Sequence, residues 1–148
     1  MPSLKQLLAE GKLRVHKTSK SEVTGLLKIV ERDIKDARIE ALSTDRRFAT
    51  AYNAALQLAT LVLSCKGFRS VGAGHHFNVL QAVREILGKA HYDLIDYFDA
   101  CRSKRNITDY DRAGEISDVE AEELLKEVLA FKKIVLKRVK ESHPQYLK

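Results

Sequence analysis

Residues 101–112, CRSKRNITDYDR, gather more polar chemistry than any other stretch of the chain. The cations Arg102, Lys104, Arg105 and Arg112 stand there with Asp109, Asp111, Asn106 and Tyr110. The planar fork of an arginine matches phosphate or carboxylate. Arg102 and Arg105 are three apart and share one face wherever a helix persists. Asn106 adds a donor and an acceptor, and Tyr110 adds a ring and a hydroxyl. Arg102, Arg105 and Tyr110 could therefore bind a phosphate and stack a base. The competing reading is a helix C-terminus whose cations pair with Asp109 and Asp111, with Tyr110 packing a loop onto the fold.

A second candidate is the Gly74-His75-His76 start of a predicted helix. The free amides and dipole of a helix N-terminus attract anions and depress a histidine pKa, so His75 and His76 could touch phosphate. The plainer reading makes them polar residues of the capping region. Adjacent helical residues point about 100° apart, so the pair does not suit one metal ion. No H-x-x-x-H or E-x-x-H spacing supports metal, and neither metal nor cofactor is expected. Ser64 and Cys65 lie in an apolar helix without a nearby base, and FRSVGAG, residues 68–74, lacks the lysine of a P-loop. Asp93, Asp96 and Asp99 recur every three residues, as a solvated face or as a balance for the cations that follow.

The elements that must position these residues are helical. Ser3 starts a short helix over residues 4–10 that Gly11 ends. Residues 12–20 are basic and aperiodic, a linker or loop. Ser19 and Glu22 form a capping-box pattern ahead of a helix over 20–42, whose apolar side runs through Val23, Leu27, Val30 and Ile34. The next helix, over 45–66, is apolar round most of its surface and is expected to be the central one. Residues 67–74 form a glycine-bearing loop. Helices over 75–87, with Phe77, Leu80, Val83 and Leu87 inward, and over 90–105 follow, and then a loop to Gly114. Ser117 and Glu120 open a last helix to about residue 142, acidic at its start and basic at its end.

The chain has 148 residues, 45% of them hydrophobic, with 7 glycines and 2 prolines that stand at its extremities. No period-two alternation, internal repeat or low-complexity tract occurs. The expectation is all-α: one domain over 1–148, core about 19–142, an up-and-down bundle of four to five main helices plus the short N-terminal helix. The net charge of +6 attracts polyanions only mildly. Cys65 and Cys101 fall among apolar neighbours in no metal or redox spacing and read as free buried thiols. The start, MPSLKQLLAEGK, has no uninterrupted apolar run, and the most apolar stretch, residues 54–65, is short for a membrane span. A soluble cytoplasmic protein with no membrane association is expected.

A bundle with Arg105-Asn106 near a helix end, a short spacer and the ring of Tyr110 before the last long helix resembles the HEPN superfamily. The Gly74-His75-His76 start resembles that of some solitary bacterial or archaeal members. The family takes its name from nucleotide-binding domains of higher eukaryotes and prokaryotes. The resemblance implies a module that binds a nucleotide, RNA or a nucleotidyltransferase partner, as in toxin–antitoxin systems, and that acts as a homodimer. Arg102, Arg105, Asn106, Tyr110, His75 and His76 would be the binding residues. It also implies, as an alternative, a metal-independent ribonuclease with Arg105 and Tyr110 as the catalytic pair. Here the sequence departs from the pattern, because Tyr110 stands where active members carry a histidine. A phenol with an ordinary pKa of about 10 is a poor base near neutrality, so the enzyme reading is the weaker one. His75 or His76 could supply the base instead. A purely structural helical adaptor is the remaining alternative.

Overall fold

Four serines start helices. The hydroxyls of Ser3, Ser19, Ser43 and Ser117 accept from the backbone N–H groups of Gln6, Glu22, Arg46 and Glu120. They open α1 (Leu4–Ala9), α2 (Lys20–Ala37), α3 (Thr44–Lys66) and α6 (Asp118–Ser142). Between them lie β1 (Leu13–Val15), β2 (Phe68–Ser70), α4 (His75–Leu87), a 3₁₀ turn (Lys89–His91) and α5 (Tyr92–Tyr110); a second 3₁₀ turn (Pro144–Tyr146) follows α6. The structure, a computed structural model, describes residues 3–72, 74–110 and 116–147, and the side chains of these outside 106–110. It is the all-α bundle that the periodicity predicts, with one two-stranded ribbon added.

Two helix ends differ from expectation by several residues. α2 stops at Ala37 rather than 42, because residues 38–41 face solvent and their apolar members have nothing to pack against. The backbone turns there through Ile39 N–H to Asp36 O and Leu42 N–H to Ile39 O. α5 continues to Tyr110 rather than ending at Arg105, although Asn106, Thr108 and Asp109 are weak helix formers. Arg102 and Arg105 therefore do share a face of one helix. The expected loop over residues 111–114 lies outside the described residues.

α3 is the centre. Its largest buried side chains are Phe48 and Tyr52, and Ala51, Ala54, Ala55 and Ala59 let the neighbouring helices approach closely. It is long and apolar enough to cross a membrane by length and composition, beyond the span expected from residues 54–65, but most of that surface is buried within the bundle. α3 and α6 run in the same direction. At their starts, Thr44 Oγ1 and Arg47 Nη2 both donate to Asp118 Oδ1, at 2.6 and 2.8 Å. At their ends, Val62 and Lys66 face Arg138 and Val139 across one cavity. α5 joins α6 through Phe98 and Phe131, ring centroids 5.1 Å apart, and through a Lys104–Glu120 ion pair. Cys65 and Cys101 are free and buried as expected, and burial pushes both thiols up to about 11.

The ribbon replaces two expected loops. β1 and β2 pair antiparallel with Leu13 opposite Ser70, Arg14 opposite Arg69 and Val15 opposite Phe68. His16 N–H to Gly67 O and Val71 N–H to Lys12 O extend the ladder. Glu22 does not complete the capping box at Ser19. Its carboxylate instead lies 2.8 Å from His16 Nε2 and accepts from Thr18 Oγ1 at 2.8 Å, tying the ribbon to α2. Although burial works against it, these bonds hold the Glu22 carboxyl below its ordinary range. At the other end of β2, Ser70 Oγ donates to His75 O at 3.0 Å, so the ribbon sets where α4 begins.

The Phe98–Phe131 contact is fully buried. Phe131→Ala is expected to lower stability by about 3–5 kcal/mol in urea denaturation. A loss below about 1 kcal/mol would show that the α5–α6 joint is not part of the core.

Candidate functional site

The start of α4 lies against the later part of α5 and the first half of α3. His76 packs its ring 6.3 Å from that of Tyr52 and 5.6 Å from that of His75. From α5, the Arg105 guanidinium carbon stands 5.8 Å from the Tyr52 ring centre, and that of Arg102 stands 5.4 Å from the ring of Phe77. The fold thus brings His75 and His76 together with Arg102 and Arg105, the two groups of candidates that the sequence leaves separate. The side chains of Asn106 and Tyr110 lie outside the described residues, as does any pairing with Asp109 or Asp111.

Each group has a definite electrostatic state. His76 is half-buried. Burial first, then His75, Arg105 and Arg102, lowers its pKa below the ordinary 6.5. The neutral form is therefore favoured, with burial as the leading cause. His75 is exposed beside it. α4 begins at Gly74 in the left-handed region (φ 73°), and no side chain of the described residues caps its first-turn amides. Arg102 is held by Asp99, whose Oδ1 accepts from Nε at 2.9 Å. Asp99 thus does balance a cation of the following stretch, and Asp96 likewise accepts from Arg84 Nε at 2.7 Å.

Tyr52 is the residue that sequence reasoning misses. It sits in the apolar stripe of α3 and is 1% exposed, which fits a core side chain. Its hydroxyl, however, has no hydrogen-bond partner among the described residues. Burial raises its pKa strongly against the pull of Arg102 and Arg105, so the proton stays on the oxygen. Asn78, buried one turn into α4, likewise has an Nδ2 without a partner among the described residues. Phe77, expected to point inward, is instead 40% exposed and covers Arg102.

The arrangement can do two things. Two guanidinium groups and the amides at the start of α4 can hold an oxyanion. A neutral imidazole can accept a proton nearby. Comparison of the chain with protein families, curated proteins and solved structures finds no match.

Two outcomes follow from the geometry. A buried hydroxyl without a partner costs about 1–3 kcal/mol, so Tyr52→Phe should leave stability unchanged or raise it. A loss above about 1 kcal/mol in denaturant would show the hydroxyl to be satisfied. For His76, an NMR titration should give a midpoint below 6.5 that rises when Arg105→Ala removes a cation. The unfolded chain takes up that proton first as pH falls. The contribution of His76 to stability is therefore full above about 6.5 and declines as pH falls towards its folded pKa.

Proposed function

We propose that this chain is a HEPN-like helical module that binds the phosphate of a nucleotide or RNA at the junction of α3, α4 and α5. Arg102 and Arg105 would hold the phosphate, with His75, His76 and the start of α4 facing it. Asn106 and Tyr110 join the set through the family resemblance. The observation that carries this reading is the juxtaposition of the two histidines with the two arginines on separate helices. The resemblance adds a homodimer with a nucleotidyltransferase-type partner in a toxin–antitoxin arrangement, and the free, unpaired cysteine pattern of the sequence adds a cytoplasmic setting.

A metal-independent ribonuclease is the second reading, and His76 favours it. Tyr110 is a poor base, whereas the neutral form of His76 is favoured beside two guanidinium groups. His76 would accept the proton of an RNA 2′-hydroxyl while the arginines stabilise the charge that develops on the phosphate.

Fluorescence titration of labelled single-stranded RNA and of ATP tests the first reading. Arg105→Ala should weaken binding by about tenfold to a hundredfold, the loss of a charged hydrogen bond worth about 1.5–3 kcal/mol. Unchanged affinity in both Arg102→Ala and Arg105→Ala would remove the site. Incubation of RNA with the protein in a chelator separates the two readings. Fragments released by the wild type and not by His76→Ala support catalysis, and intact RNA leaves binding alone.

A further inference from the structure

The last turns of α3, α4 and α6 enclose a cavity of about 200 Å³ at the other end of α3 from Tyr52. Val62 and Ile86 give it an apolar wall. Lys66, Arg138, Ser142 and His143 give it a polar one. No carboxylate of the described residues lines it. Glu141 lines the adjoining cavity instead, together with Lys137 and His91.

The positive charge here is only partly used by the fold. Cations near helix C-termini answer the negative ends of the helix dipoles, and Arg138 Nη2 donates to Ile86 O at 3.1 Å in that role. The other guanidinium donors of Arg138 have no protein partner among the described residues. Lys66 has neither an ion pair nor a side-chain hydrogen bond among them, and its charge falls on the same cavity. His143 stacks on Tyr146 with ring centroids 6.1 Å apart. Burial first, then Lys66 and Arg138, lowers its pKa. Cys65, also on the wall, keeps its proton because burial first, and then the charge of Glu22, raises its thiol. The cavity is thus a small positive chamber with an apolar side. It is smaller than the roughly 300–1,000 Å³ of a drug-sized site.

We propose that this cavity binds a small organic oxyanion. Its carboxylate or phosphate head would sit on Lys66 and Arg138, and its short apolar body against Val62 and Ile86. Lysine and arginine both recognise such heads, the arginine through the donors that Ile86 leaves open. The apolar wall selects an anion with a hydrocarbon part over a bare ion. The proposal does not depend on the α3–α4–α5 site, and neither failing would decide the other.

The test follows the His143 ring by NMR in the full chain at constant ionic strength, with chloride as the balancing anion. Butyrate, inorganic phosphate and neutral butanol are the probes. Butyrate should raise the His143 pKa saturably, because a bound anion offsets Lys66 and Arg138. Phosphate should do so less strongly, and butanol not at all. In Lys66→Gln, which changes an exposed side chain, butyrate should bind at least tenfold more weakly. Arg138→Gln should do the same, with circular dichroism confirming the fold. Three outcomes overturn the proposal: no saturable response to butyrate, an equal response to butanol, or unchanged butyrate affinity in folded Lys66→Gln.

Discussion

Everything in this fold rests on α3 being buried on nearly every side. A helix so enclosed must present small side chains where its neighbours cross, and Ala51, Ala54, Ala55 and Ala59 meet that need. The remaining surface is filled by large groups, of which Tyr52 is the exception in kind. Its ring satisfies the packing, and its hydroxyl finds no partner among the described residues. A buried polar atom without a partner among the described residues, in the first half of the central helix, is rare, because the interior penalises it. It marks the point where packing gives way to the chemistry of α4 and α5.

At that point the helices concentrate positive charge in a partly dry place. Arg102 and Arg105 lie near the start of α4, whose dipole has the same sign. Asp99 offsets part of this. His76 responds by giving up its proton and Tyr52 by keeping its own. The two responses have a shared origin. Burial penalises the charged form of both, which is a cation for the imidazole and an anion for the phenol.

Much of the fold is legible in the sequence because its helices begin at serines and run on unbroken apolar stripes. Ser19, Ser43 and Ser117 each stand where the chain starts a helix, and the all-round apolar surface of α3 identifies it as central. The ribbon is not legible, since strands as short as β1 and β2 leave no alternation to detect. The extension of α5 past Arg105 is hidden for another reason. Local propensity at Asn106 and Asp109 points to a helix end, and the continuing helix overrides it. Of the candidate site, the arginine pair and its Asp99 partner can be read from i, i+3 spacing. The meeting of His76, Tyr52 and Arg105 cannot, because it depends on how three helices cross. Tyr52 in an apolar stripe gives no sign that its hydroxyl lies beside two arginines.

The two ends of the ribbon have unequal anchors. Toward α2 the hold is the Glu22 carboxylate, which His16 and Thr18 share. Toward α4 it is the Ser70 bond to His75 O, beside Val71 N–H to Lys12 O. The histidines therefore take their place from the ribbon, and the arginines take theirs from α5, which Phe98 and Phe131 fix to α6.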